Sequence, residues 1–205
     1  MNFDEYLTNP KKLYSYIEHK LSNHEHTVYK YADVRYKHAA VLIPLFFKDG
    51  EAHLLFTKRT DKVETHKGQI SFPGGMADET DEKLRETALR ETWEEMGIKP
   101  EDISILGKTD KFLTNTNFMV TPYVGHYLYP YRYKINSDEI DRVIEVPLSH
   151  LINPEIFEIK PWVRDGIKWN IHYYNYNGDI IWGVTGFLLS NFLSIIFDLD
   201  RLPIK

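Results

Sequence analysis

GMADETDEKLRETALRETWEEMGI, running from Gly75 to Ile98, combines a glycine start, a polar turn and a segment of helical periodicity. Leu84, Ala88, Leu89 and Met96 share one side and predict a helix over about Asp81 to Met96, with Gly97 as its stop. On that helix Glu91, Glu94 and Glu95 stand three and four residues apart. At about 100° per residue they leave from a common side. Like charges so placed cost a helix roughly 0.2–0.5 kcal/mol per pair, which an ordinary solvated face carries with a partner such as Arg90. The loop just upstream, Phe72-Pro73-Gly74-Gly75, gives the cluster another meaning. Gly74 and Gly75 let backbone approach a metal or a phosphate closely while the helix holds carboxylates beside it. Hard oxygen ligands of this kind suit Mg²⁺ or Mn²⁺.

Working outward, Leu13, Tyr14, Ile17 and Leu21 predict an amphipathic helix over about Pro10 to Leu21 that covers a sheet face. Ala39 to Phe47 is apolar and β-prone. Lys48-Asp49-Gly50 then turns the chain into Ala52 to Thr57, predicting a hairpin. Further strands are expected near Ile103–Leu106, Met119–Leu128, Val143–Val146 and Trp169–Tyr174, followed by a helix over Ile180–Phe197. Trp182, at the start of that helix, is expected to pack in the core. The aromatics between Trp162 and Tyr176 fit strand alternation as well as stacking on a base, and no site is assigned there. Strands and helices mix without strict alternation, so the expected class is α/β (α+β), a layered sandwich. The expected organisation is an N-terminal helical extension over 1–35 and one domain over 36–205, without repeats or linkers.

With 205 residues, 42% hydrophobic and 14% aromatic, the chain can bury a sizeable core. Its 30 acidic against 25 basic residues give a net charge of -5, which argues against nucleic acid as a partner. An anionic small molecule can still bind if cations bridge it to the protein. The sequence has no cysteine, which excludes disulfides, thiolate metal sites and cysteine nucleophiles. The start Met1-Asn2-Phe3-Asp4-Glu5 reads as no secretion signal, and the end Leu202-Pro203-Ile204-Lys205 as no peroxisomal address. A cytoplasmic location is therefore the expectation. Ile180–Phe197 is 18 residues long, but Thr185, Ser190, Asn191 and Ser194 and the acidic flank argue for a buried helix over a membrane span.

Residues 75–98 resemble the Nudix box, a glycine and a glutamate ahead of an Arg-Glu-x-x-Glu-Glu-x-Gly core, which Arg90 to Gly97 supplies intact. Two departures stand out. The usual count forward from the glycine reaches Asp81, whereas the count back from Arg90 reaches Glu82, and Glu82 is taken here as the first acid. Thr92 occupies a position that is usually aliphatic. The resemblance implies an α/β/α sandwich with a mixed β-sheet, with Glu91, Glu94 and Glu95 as metal ligands. Arg90 would orient those carboxylates by charge-assisted hydrogen bonds.

A narrower resemblance, to the coenzyme A pyrophosphatase branch, lies in Leu54 to Thr60 and in His66 to Gly75, where that branch usually has arginine at the place of Glu64. The one-residue insertion in the box, with Thr87 to Thr92, and Ile181 to Thr185 are similar to the same branch. Arg59, His66 and Lys67 read by type alone as a polar loop. Set just before Gly74 and Gly75, they become candidates for gripping an anionic substrate.

The implied activity is metal-dependent hydrolysis of a nucleotide diphosphate linkage, with coenzyme A giving adenosine 3′,5′-bisphosphate and 4′-phosphopantetheine. Glu94, Glu95 and Arg90 carry the catalytic expectation. The general base is a box glutamate or Glu139. Alternatives are ADP-ribose, NADH or a nucleoside triphosphate as substrate, a catalytically silent nucleotide-binding module, and a scaffolding domain. The expected partners are a small-molecule nucleotide, no nucleic acid and no membrane, with a homodimer left open.

Overall fold

The computed structural model describes residues 3–62, 66–164 and 167–202. Two helices, α1 (Asp4–Leu7) and α2 (Pro10–Ser22), lead into the short strand β1 (Val28–Tyr29), the long pair β2 (Lys37–Lys48) and β3 (Glu51–Arg59), and the short β4 (Ile70–Ser71) and β5 (Gly74–Met76). Helix α3 (Leu84–Met96) follows, then β6 (Ser104–Lys108), β7 (Lys111–Leu113), β8 (Phe118–His126), β9 (Ile140–Pro147) and α4 (Leu148–Ile152). The chain closes with β10 (Phe157–Arg164), β11 (Ile167–Tyr176), β12 (Asp179–Trp182) and α5 (Gly183–Phe197).

Among the described residues the main sheet has nine strands and is mixed: β1–β7 and β2–β8 pair in parallel, and the remaining pairs are antiparallel. Its centre reads apolar almost without a break because both faces are covered. Along β2, Ala39, Ile43 and Leu45 join one core with Leu13, Ile17 and Leu21 of α2 and with Leu189, Phe192 and Leu193 of α5. Ala40, Leu42 and Phe46 point the other way, into a second core with Ala88, Leu89 and Met96 of α3. Strand β3 repeats the pattern, with Leu54 and Phe56 on one side and Leu55 on the other. The result is an α/β/α sandwich. The α1–α2 segment buries Leu7, Leu13, Ile17 and Leu21 in the same core as the strands. No helix among the described residues is long and apolar enough to cross a membrane.

The β2–β3 hairpin turns on Asp49 and Gly50, at φ 51° and 81°, the positive pair that a two-residue hairpin turn requires. The same device appears at Asn177-Gly178, φ 51° and 88°, where β11 reverses into β12. This corrects two expectations. The last helix begins at Gly183 instead of Ile180, because Asp179–Trp182 pairs with β11 in a separate three-stranded sheet. Trp182 is not core: it is 41% exposed and stacks parallel to Tyr173 across that pair.

Candidate active site

The glycine loop and α3 are built onto β2. Gly74 and Gly75 pair with Val41 and Ala40, and the Ala77 N–H donates to the His38 carbonyl. Gly74 lies at φ 153°, and a Cβ there would sit 2.4 Å from the Ala40 carbonyl oxygen, so glycine is required. At Gly75 the space that a Cβ would fill is taken by the Glu91 carboxylate, 2.5–2.6 Å away. Helix α3 therefore lays an acid directly against loop backbone. Its start differs from expectation by one turn. Residues 78–81 fold into a local hydrogen-bonded turn, with Thr80 N–H donating to Asp78 Oδ1 and Asp78 N–H to Asp81 Oδ2. Glu86 Oε2 then accepts the N–H groups of Glu82 and Lys83.

The three helix carboxylates sit in unequal surroundings. Glu94 is about half exposed, Glu91 is largely covered, and Glu95 is only 3% exposed. Burial raises the Glu91 carboxyl above its usual range, against the pull of Arg90. Burial pushes Glu95 up to about 8, with the Glu91 and Glu139 charges adding to the rise and Arg59 and the Gly74 N–H opposing it. Glu95 Oε2 and Arg59 Nε are both buried without a hydrogen-bond partner. A buried acceptor and a buried donor left without partners in the chain are groups that a bound ligand can satisfy.

Arg90 organises the cluster. It donates from Nε and Nη2 to the two oxygens of Asp81 (3.1 and 3.0 Å), from Nη1 to Glu91 and Glu94 (3.0 and 3.1 Å) and from Nη2 to the Met76 carbonyl (3.2 Å). Asp81 also accepts from Thr87 Oγ1 at 2.9 Å, and its carboxyl is held down at about 2, chiefly by Arg90. Opposite the helix, the segment before β9 is tied to the last turn of α3: Asn136 N–H donates to the Glu95 carbonyl and Lys134 N–H to that of Met96. These carbonyls are ones that a helix end leaves without internal partners. Glu139 is thereby brought close enough for its charge to act on Glu91 and Glu95.

The NUDIX domain pattern matches residues 36–164, well over half of the chain. The chain belongs to the Nudix family. It is similar to the uncharacterized Nudix hydrolase NudL of Photorhabdus laumondii, 34% identical over 75% of this chain and 81% of that protein. NudL of Yersinia enterocolitica is 35% identical over 74% and 77%. Peroxisomal coenzyme A diphosphatase NUDT7 of Mus musculus is 32% identical over 69% of this chain and 62% of the mouse protein. The chain is thus a Nudix hydrolase, an enzyme of diphosphate linkages.

Within this Nudix site, the first acid differs from the sequence expectation. Asp81, not Glu82, meets Arg90; Glu82 is exposed and contributes its backbone N–H to Glu86. With Asp81 as the first acid, the extra residue falls between Asp81 and the start of α3 at Leu84. Thr92 is buried at its usually aliphatic place, its hydroxyl donating to the Ala88 carbonyl at 2.7 Å. Arg59, Gly74, Gly75, Glu91, Glu95 and Glu139 come together around the loop. His66 and Lys67 stay exposed on the following turn, where His66 Nδ1 pairs with Gln69 Oε1 at 2.8 Å. That turn is fixed to the site by the Arg59 N–H, which donates to the Gln69 carbonyl. Glu64 lies outside the described residues.

Sequence reasoning passed over Lys58 and Lys62. With Arg59 they line an open cleft of about 520 Å³ at the end of β3, closed on the other side by Ser137, Ile140 and Asp141. The signal was the run Lys58-Arg59-Thr60-Asp61-Lys62, whose cations collect at one strand end.

Proposed function

We propose that this Nudix hydrolase cleaves the diphosphate of coenzyme A, with Mg²⁺ or Mn²⁺, to adenosine 3′,5′-bisphosphate and 4′-phosphopantetheine. The observation that carries the reading is the Glu91 carboxylate laid against Gly75 beside buried Glu95, whose Oε2 has no hydrogen-bond partner and on which the charge of Arg59 acts. An all-oxygen set of Glu91, Glu94 and Glu95 fits a hard divalent cation, and a guanidinium fits a phosphate. Bound there, such a cation would neutralise the diphosphate oxygens and acidify the attacking water.

The remaining work falls to the chain's own residues. Arg90 holds Glu91 and Glu94 in place and is itself held by Asp81. Arg59 lines the basic cleft while its charge also acts on Glu95, so it can donate to a diphosphate oxygen from between them. His66 and Lys67 are exposed just ahead of Gly68, which lines the same cleft, and would add contacts for the anionic substrate. Glu139, an exposed carboxylate whose charge acts on Glu91 and Glu95, or a box glutamate would accept the proton of the water as it adds to phosphorus and the anhydride oxygen leaves. Coenzyme A is favoured over other nucleotide diphosphates by the Leu54–Thr60 and His66–Gly75 signature and by the similarity to the mouse coenzyme A diphosphatase.

The test is a panel of coenzyme A, ADP-ribose, NADH and a nucleoside triphosphate, each incubated with protein and Mg²⁺ or Mn²⁺ and its products identified by mass. Coenzyme A turned over fastest, to 4′-phosphopantetheine, is the expected result. Faster cleavage of another member discards the substrate and keeps the chemistry; no turnover of any favours a nucleotide-binding module.

A further inference from the structure

A second cluster of metal-binding side chains lies on elements that the diphosphate site does not use. His24 and His26 are two apart in the irregular segment between α2 and β1, which brings both rings to the same place. Their ring centres are 5.4 Å apart at 80°. Facing them is Asp110, in the turn between β6 and β7, only 3% exposed. One nitrogen of each histidine and one oxygen of Asp110 all lie within 4.8 Å of one another.

The carboxylate is not free to wander. Asp110 Oδ2 accepts from Asn191 Nδ2 at 2.8 Å, and the Asp110 N–H donates back to Asn191 Oδ1 at 3.2 Å. Oδ1 accepts the Thr27 N–H at 2.7 Å and lies 2.7 Å from His24 Nε2. Such outer contacts fix a ligand and raise its basicity. A plain His–Asp pair needs one histidine, and it leaves His26 unexplained. His26 is exposed, so its ring is open to an incoming ion on the side of the buried Asp110 carboxylate. Beside the cluster an open cleft of about 450 Å³, lined by His24, Thr27, Asp110 and Asp198, leaves room for a water as a fourth ligand. It shares no lining residue with the cleft at Arg59.

We propose that His24, His26 and Asp110 bind a zinc-type divalent transition ion, separate from the hard cation of the diphosphate site. Two imidazoles and one carboxylate suit Zn²⁺ or Co²⁺ and disfavour Mg²⁺. The ion would clamp the N-terminal segment to the β6–β7 turn and, through Asn191, to α5.

The experiment is a Co²⁺ titration of the full, chelator-stripped chain, read by visible absorption. The parent protein and Glu91→Gln are both expected to show the intense bands of a four-coordinate cobalt–imidazole site at one equivalent. His26→Ala, which changes an exposed side chain and so leaves the fold in place, should weaken that binding by more than about tenfold. Zn²⁺ should displace the bands and raise the melting temperature of the parent chain but not of His26→Ala. Absence of the bands in the parent, or their persistence in His26→Ala at unchanged affinity, overturns the proposal. Neither outcome bears on coenzyme A turnover.

Discussion

Arg90 and Asp81 meet in a two-pronged ion pair, Nε to Oδ1 at 3.1 Å and Nη2 to Oδ2 at 3.0 Å, with Asp81 nearly buried beneath the guanidinium. The pair aims the other face of Arg90 at Glu91 and Glu94. Removing the Asp81 charge should let Arg90 swing and loosen both acids. Asp81→Asn is expected to lower kcat/KM by about 10–100-fold, the usual cost of an outer contact in a metal site. Glu82→Gln, one residue on and exposed, should stay near the parent rate. Steady-state kinetics on the two variants decides which acid belongs to the site; equal losses would contradict the assignment.

Gly75→Ala tests the cradle. A Cβ at that position meets the Glu91 carboxylate at 2.5–2.6 Å, and the backbone there is ordinary, so the change displaces the acid without straining the loop. The expected outcome is an intact circular dichroism spectrum with Mg²⁺ affinity reduced by about 10–100-fold. Unchanged affinity would mean that Glu91 does not act from where it lies.

Glu95→Gln should separate stability from function. The Glu95 carboxyl, raised to about 8 by burial, stays protonated in the metal-free fold where an unfolded glutamate near 4.5 has already ionised. Stability from this group is full below about 4.5 and is lost as pH rises toward 8. In chelator at pH 7.5 the glutamine variant should therefore melt higher than the parent, on a scale of about 2–4 °C per kcal/mol for a chain of this size. A lower melting temperature than the parent would refute the burial argument.

His172 gives a pH dependence of opposite sign. It is 1% exposed, its Nδ1 pairs with Ser190 Oγ at 2.7 Å, and burial pushes its pKa down to about 4. Between about 6.5 and 4 the unfolded chain takes up a proton that the folded chain refuses, so stability falls as pH falls through that window. Melting curves from pH 7 to 4 should decline less steeply in His172→Gln than in the parent. The Glu95 effect overlaps this window with the opposite slope, so each is read as a difference between parent and variant.

The elements with a strong period were legible in the sequence. Leu13, Ile17 and Leu21 gave α2, the Asp49-Gly50 turn gave the β2–β3 hairpin, and Leu84 to Met96 gave the body of α3. Strand β10 escaped notice because Pro161 and the alternating Glu158 and Lys160 mask its pattern. Strand β12 was read as helix because Ile180-Ile181-Trp182 runs apolar into α5, although Asn177-Gly178 signalled the hairpin. In the site, helical spacing put Glu91, Glu94 and Glu95 on one side but could not rank them. Their difference in burial comes from β2 and the 134–139 segment, which lie far off in sequence. Counting along the chain could not choose between Asp81 and Glu82, because the local turn at Asp78 decides which acid points inward.

The account stands most directly on coenzyme A turnover measured by mass, with Mg²⁺ and with chelator, in the parent chain and in Glu95→Gln. The predicted result is release of 4′-phosphopantetheine by the parent with metal, abolished by chelator and reduced more than about 100-fold in the folded variant. Turnover that survives both chelator and Glu95→Gln would contradict a diphosphate site built on the α3 carboxylates.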